Sequence, residues 1–85
     1  MSEQAARQKI KDFIMEQFLP GEDPAELTDQ TPLISAGILD SIATLQLVTF
    51  LEETYKVSFE AHEVDRDNLD TLDLIVRQLA GKTSL

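Results

Sequence analysis

Three separated segments with apolar residues at helical spacing constrain the fold of this chain most strongly. The first runs from about Glu3 to Phe18, the second from about Ser41 to Tyr55, and the third from about Asp70 or Thr71 to Ala80. Intervals of three and four residues between apolar positions indicate amphipathic helices, and the chain shows no strand-like alternation and no internal repeat. The sequence therefore predicts an all-α fold.

The apolar positions of each segment define the face that we expect to be buried. In the first helix these are Ala6, Ile10, Phe13, Ile14 and Phe18; in the second, Leu47, Val48, Phe50, Leu51 and Tyr55; in the last, Leu72, Ile75, Val76 and Leu79. Pro20-Gly21 ends the first helix, Asp70 is the predicted N-cap of the last, and Gly81 ends it. With a short helical turn from Ala61 to about Asp65, the prediction is a small four-helix bundle of three main helices and one short one. We expect residues 1–85 to form a single domain.

A connection of roughly 20 residues separates the first two helices. It contains three prolines and two glycines, so it is not helical throughout. Connections of this length in compact domains are often functional. Its apolar residues predict that it is pinned to the core rather than flexible; they are Leu27, Leu33, Ile34, Ile38 and Leu39.

The charge distribution limits the partners. Seven basic residues against 16 acidic ones give a net charge of −9, and no Lys or Arg lies between Asp12 and Tyr55. Nucleic acids and anionic membranes are therefore poor partners, because both require neutralised phosphates. The acidity favours basic protein partners, and it equally suits a small protein that only needs to stay in solution. With no cysteine, no apolar run long enough for a membrane span and no apolar signal core, we expect a soluble cytoplasmic protein.

The residues most suggestive of a site are Asp40 and Ser41, which open the second helix. Asp40 is a good N-cap, and its charge suits the positive end of the helix dipole. The Ser41 hydroxyl is then free. Ser41 is either an ordinary helix-start serine or a modification site, since a phosphate ester is favoured at a helix N-terminus.

Catalysis by the chain itself is not expected. A serine nucleophile requires a base within hydrogen-bond reach, and the single histidine, His62, lies in a charged segment. The acidic pairs Glu22/Asp23 and Glu52/Glu53 lack calcium-loop spacing, and His62 has no His or Cys companions for a metal site. We predict neither an enzyme nor a metal protein.

The run Leu33-Ile34-Ser35-Ala36-Gly37-Ile38-Leu39-Asp40-Ser41-Ile42 resembles the attachment motif of acyl carrier proteins and peptidyl carrier domains. That family's core is Asp-Ser followed by a large aliphatic residue, usually Leu, and here Ile42 takes that place. The resemblance extends over nearly the whole chain, because the segment from Leu47 to Tyr55 is similar to the family's second helix. The order of helices and loops is also the same.

The resemblance implies that Ser41 receives a 4′-phosphopantetheine arm from coenzyme A, whose thiol holds cargo as a thioester. Implied partners are a phosphopantetheinyl transferase, an acyl- or aminoacyl-loading ligase and downstream transferases with basic docking surfaces, which a monomeric carrier visits in turn. The family's recognition surface is the helix after the serine. It implies these partner-binding positions: Asp40, Ile42, Ala43, Gln46, Thr49, Glu52 and Glu53. From the helical pattern, all of those after Asp40 are expected to face solvent.

One departure from the family pattern bears on the cargo. Fatty-acid carriers typically have acids shortly after the serine, whereas this chain has Ala43 and Gln46. The segment from Val64 to Leu72 also resembles stand-alone aminoacyl or peptidyl carriers. Our hypothesis is a dedicated partner set, such as an amino-acid-activating ligase or a specialised polyketide or peptide pathway. Aminoacyl, fatty acyl and polyketide cargoes stay open, and so does an acidic interaction module without a prosthetic group.

Overall fold

The structure is a computed structural model that describes residues 2–83, and within them the chain is helical, without strands. The four α-helices of this part of the chain are α1 (Glu3–Phe18), α2 (Ser41–Tyr55), α3 (Arg66–Leu69) and α4 (Leu72–Ala80). Two 3₁₀ turns, Pro24–Glu26 and Ala61–Glu63, lie in the connections. The all-α four-helix prediction is confirmed, and α1 and α2 have the predicted bounds.

Each of the four α-helices is preceded by a residue whose side chain accepts a hydrogen bond from an N–H of the first turn. The N-caps, in chain order, are Ser2, Asp40, Asp65 and Thr71. Such a bond satisfies one of the N–H groups that the helix leaves without an intrahelical partner. At the other end of α2, Lys56 has φ of 57° and adopts the left-handed conformation that ends many helices.

The core lies between the faces that the apolar spacing predicted. α1 packs on α4 and α2, and α3 packs on α4. On α1 the Phe13 ring stacks on Phe50 of α2 with 4.1 Å between centroids. The helices contribute these buried residues: Ala6, Ile10, Ile14, Ala43, Leu47, Val48, Leu51, Tyr55, Leu69, Leu72, Ile75, Val76 and Leu79. Phe13, Phe18 and Phe50 are only partly buried at the edge of this core.

The long connection between α1 and α2 is anchored, as predicted. Leu27, Leu33 and Leu39 are at most 3% exposed, and Ile34 and Ile38 pack against the core from partly buried positions. Polar contacts add to this anchoring, because Arg7 of α1 pairs with both Asp29 in the connection and Asp73 of α4. The stretch before Ser41 is therefore held in place.

The prediction that Asp70 caps α4 is wrong. An N-cap residue has extended backbone angles, and Thr71 has them with φ −131° and ψ 162°. Asp70 has helical angles as the C-cap of α3. The Thr71 side chain accepts the N–H of Leu74 at 3.1 Å, while the Asp70 carboxylate bonds to the distant loop residues Ile34 and Ser35.

The short helix also lies later than predicted. Between Ala61 and Glu63 the chain forms only a 3₁₀ turn, closed by reciprocal hydrogen bonds between Glu60 and Glu63. The short α-helix starts at Arg66, because the Asp65 side chain accepts the N–H of Asn68 at 3.0 Å and caps it. Asp65 thus starts a helix where the sequence pattern indicated an end.

Candidate functional site

Ser41 is the first residue of α2, and its side chain is exposed. The preceding Asp40 performs the capping: its Oδ1 accepts the N–H of Ala43 at 2.7 Å. The Asp40 carbonyl oxygen accepts the N–H of Thr44 at 2.9 Å and the Thr44 hydroxyl at 2.8 Å. Because Asp40 already caps α2 through the N–H of Ala43, the Ser41 hydroxyl is not needed as the cap and is available for another use.

The start of α2 is suited to an anionic group. Within residues 2–83 no acceptor engages the N–H groups of Ser41 and Ile42. Free N–H groups and the helix dipole together favour negative charge at a helix N-terminus. A phosphate ester on the Ser41 oxygen would lie at this end of a 15-residue helix. The residues present therefore fit a phosphate-linked group.

A cleft of about 300 Å³ opens beside the Ser41 hydroxyl. Its apolar lining comes from Ile34, Leu45 and Val64, and its charged lining from Arg66 at the start of α3 and from the carboxylates of Asp40 and Asp65. The apolar wall suits the apolar part of a flexible arm, and the polar groups at its rim suit the polar part. The cleft extends from the serine towards α3 and the connection before it.

The loop that leads into α2 closes on itself just before the serine. The N–H of Leu39 donates to the carbonyl of Leu33 at 2.9 Å, and both side chains are buried. Gly37, between them, has φ of +81°, a conformation that side chains rarely adopt. The glycine of the motif is thus required by the turn that brings the chain back to Asp40 and Ser41.

The exposed face of α2 contains most of the predicted partner-binding positions and one that sequence reasoning missed. Ile42 is 69% exposed, and Gln46, Thr49 and Glu53 are also exposed. Leu45, at 59% exposed, is the other large apolar side chain displayed in the described residues. Its position three residues after Ile42 places it on the same helical face, a signal that was present in the sequence.

Two of the predicted solvent-facing positions are less exposed than expected. Ala43 is only 8% exposed, because it lies four residues before Leu47 on the buried stripe. Glu52 is partly buried, and its Oε2 accepts the N–H of Phe59 at 2.8 Å. The expectation of exposure is therefore wrong for Ala43 and only partly met for Glu52.

Two other features, a metal-binding cluster and a membrane-spanning helix, are not found in the part of the chain that the structure describes. Among residues 2–83 no group of three or more His, Cys, Asp or Glu side chains is placed to hold a metal ion. In the same range, none of the helices combines the length and the hydrophobicity that a membrane span requires. The features around Ser41 remain the best-defined candidate site.

Comparison with known proteins gives two findings. The family model described as "Phosphopantetheine attachment site" matches residues 14–79, which include Ser41 and its loop. The D-alanyl carrier protein of Streptococcus pyogenes serotype M5 (strain Manfredo) is 36% identical over 70 residues, covering 80% of this chain and 87% of the relative. The proteins of the same name from serotype M49 (strain NZ131) and serotype M1 match to the same extent.

Proposed function

This chain belongs to the phosphopantetheine attachment family, and on that premise we propose that Ser41 is the residue to which the group is attached. The chain is a carrier protein whose cargo is held on 4′-phosphopantetheine. The observation that supports Ser41 is its exposed hydroxyl at the start of α2, left free because Asp40 caps the helix. The free N–H groups of the first turn then stabilise the phosphate of the attached group.

The composition of the chain explains why a prosthetic group is needed. The chain has no cysteine, so no side chain supplies a thiol on which a thioester is formed. Bound phosphopantetheine supplies that thiol at the end of a flexible arm. The task left to the polypeptide is to hold the arm at Ser41 and to display a surface that partners recognise. We assign bond-making to partner enzymes.

The cargo that we propose is an aminoacyl group, with D-alanine as the first candidate. The support is the likeness to proteins named D-alanyl carrier protein, which extends over 80% of this chain. Its loading partner would then be a ligase that activates D-alanine. The neutral Gln46 in the exposed face of α2 agrees with a partner set different from that of fatty-acid carriers.

The proposed docking surface is the exposed face of α2 beside the serine. Ile42 and Leu45 form its apolar centre, and the carboxylates of Asp40 and Glu53 lie towards its two ends along the helix. A few residues at the centre of a protein–protein interface supply most of its affinity, whereas flanking charges mainly set the association rate and the register. The fitting partner surface is an apolar recess flanked by Lys or Arg, on the transferase and on the ligase.

Intact mass after incubation with coenzyme A and a broad-specificity phosphopantetheinyl transferase tests the site. The protein should gain one phosphopantetheine group, and Ser41→Ala should gain none while retaining its helical spectrum. Ser58→Ala is the matched control, since Ser58 is also exposed but lies outside the motif. A gain by Ser41→Ala equal to that of the wild type would refute the assignment.

A loading assay on the modified protein tests the cargo. A D-alanine-activating ligase should form a thioester that hydroxylamine releases, and enzymes that load fatty acyl groups should charge the protein poorly. Efficient fatty acylation without any aminoacylation would contradict the aminoacyl proposal but leave the attachment site intact.

A further inference from the structure

Asp70 lies at the junction of α3 and α4, and its carboxylate faces the loop before the serine. Oδ1 accepts the N–H groups of Ile34 at 2.8 Å and Ser35 at 2.9 Å, and Oδ2 accepts the Ser35 hydroxyl at 2.8 Å. The Asp70 carbonyl oxygen accepts the N–H of Leu33. One residue thus binds three consecutive residues of a loop that lies about 35 positions earlier in the chain; we call this set the Asp70 clamp.

The base of the clamp is rigid. Asp70 directly follows α3 and is followed by Thr71, the N-cap of α4, so its backbone is held from both sides. Leu69 and Leu72, on either side, are fully buried. The carboxylate therefore has a defined position to which the loop is attached.

The clamp is closely connected to the attachment residue. The Asp70 carboxylate binds Ile34 and Ser35, and the Asp70 backbone carbonyl binds Leu33. The turn that begins at these residues closes at Leu39, immediately before Asp40, where the N–H of Leu39 donates to the carbonyl oxygen of Leu33. Between that hydrogen bond and Ser41 lies only the capping aspartate. Loss of the carboxylate would remove the bonds to Ile34 and Ser35 and loosen the turn between the buried Leu33 and Leu39, including the half-buried Ile34, whose side chain lines the cleft beside Ser41.

The carboxylate is stabilised in its charged form. Burial by itself would raise the pKa of Asp70, but the hydrogen bonds from Ser35 and Ile34 and the nearby charge of Arg66 lower it overall. Hydrogen bonds to an ionised acceptor are shorter and stronger than neutral ones. These hydrogen bonds therefore stabilise the loop conformation beyond the stabilisation that the packing of the Leu33 and Leu39 side chains provides.

We propose that Asp70 is a positioning residue for phosphopantetheine attachment: its carboxylate holds segment 33–39 in the conformation in which the transferase meets Ser41. The inference rests on the proposed attachment at Ser41. It assigns to α3 and α4 a part in a reaction that takes place at the start of α2. Asp70 itself does not touch the reacting atoms.

Modification kinetics distinguish this role from a general contribution to stability. When only a fraction of the molecules has the competent loop, apparent affinity falls by that fraction while the bound complex reacts normally. Asp70→Ala should therefore raise the KM of the transferase for the carrier by roughly tenfold with kcat nearly unchanged. Asp70→Asn keeps an oxygen for both N–H groups and should restore most of the wild-type KM.

Thr71→Ala is the matched control, since Thr71 is adjacent and caps α4 but makes no hydrogen bond to the loop. It should lower the melting temperature without changing KM, with all assays run well below the melting temperatures. An equal KM for Asp70→Ala and Thr71→Ala would overturn the proposal. If Asp70→Ala does not fold, Ser35→Ala removes one clamp bond from the loop side and should raise KM by about two- to threefold.

Hydrogen exchange provides a readout independent of any enzyme. In Asp70→Ala or Ser35→Ala, the Leu39 amide should exchange faster, while amides in the middle of α2, such as that of Leu51, should keep their protection. Unchanged exchange at Leu39 would also overturn the clamp. Failure of the wild type to accept phosphopantetheine would instead contradict the proposed function, so the two failures are separable.

Discussion

The two ends of α2 are built for opposite purposes. At the N-terminal end, the hydroxyl of Ser41 and the side chains of Ile42 and Leu45 are exposed. At the C-terminal end, Leu51 and Tyr55 are buried, and the Glu52 carboxylate binds the backbone of Phe59. One helix thus carries an exposed modification site at its first residue, while its buried face and the contacts of its C-terminal end secure it in the core. Substitutions at the two ends should accordingly separate function from stability.

Two leucines of α2 provide the largest contrast. Leu51 is fully buried, so Leu51→Ala should lower the free energy of unfolding by about 2–5 kcal/mol. Leu45 is 59% exposed, so Leu45→Ala should change the free energy of unfolding by no more than about 0.5 kcal/mol. The same substitution should weaken transferase binding. Chemical denaturation and the KM for modification measure the two effects. A strongly destabilised Leu45→Ala, or one with unchanged KM, would contradict the division between the ends.

Two neighbouring glutamates near the C-terminal end of α2 should differ in their contribution to the free energy of unfolding, by less than the two leucines do. Glu52→Ala leaves the Phe59 N–H without its acceptor and should cost about 1–2 kcal/mol. Glu53→Ala removes an exposed carboxylate, and its free energy of unfolding should lie within about 0.5 kcal/mol of the wild-type value. Urea denaturation of both variants checks this. Equal stabilities would show that the anchoring hydrogen bond contributes nothing measurable.

At the N-terminal end, Asp40→Ala should have a smaller effect on stability and a further effect on modification. Loss of the cap should cost about 1 kcal/mol, and loss of a carboxylate beside Ser41 should also slow attachment. Ser2→Ala, which removes the cap of α1, is the control with a similar cost and no site role. If both variants are modified at the wild-type rate, Asp40 acts as a cap only.

Acidic pH should lower stability through Asp70, which holds the loop that leads into the N-terminal end of α2. Its pKa lies below the ordinary value of 3.8, so its ionised form stabilises the fold above that pH. This stabilisation is lost as the pH falls through the lowered pKa. Asp70→Asn should therefore show a shallower loss of stability than the wild type below about pH 4, measured by denaturation at constant ionic strength. Parallel curves would show that Asp70 does not contribute to acid sensitivity.

Substitution of Tyr55, at the C-terminal end of α2, should give the smallest change in the free energy of unfolding. Its hydroxyl is buried and has no hydrogen-bond partner within the described residues, and burial raises the pKa of this group. Tyr55→Phe removes a polar atom that is costly to bury and leaves the ring in place. Its stability should equal or exceed that of the wild type by up to about 1 kcal/mol. Clear destabilisation by denaturation would indicate that the hydroxyl is satisfied.

Features that depend on neighbours in sequence were predicted well. Apolar spacing predicts the bounds of α1 and α2 and their buried faces. The cap at Asp40 is equally local, because its side chain accepts the N–H of a residue only three positions later. The prominence of Ser41 follows from the same local pattern. Helical spacing also indicates that Leu45 is exposed, three residues after Ile42, and that Ala43 is buried, four residues before Leu47.

The bounds of α1 and α2, the acidic charge and a free hydroxyl at the start of α2 can be read from the sequence alone, because caps and periodicity act within about one helical turn. Only the tertiary structure decided the role of Asp70, whose partners lie 35 and 36 residues away. In the sequence, Asp70 is the better cap of the two, because Asp is preferred over Thr at the N-cap position. Once the bundle brings the loop to Asp70, its carboxylate binds the loop, and the cap of α4 is left to Thr71.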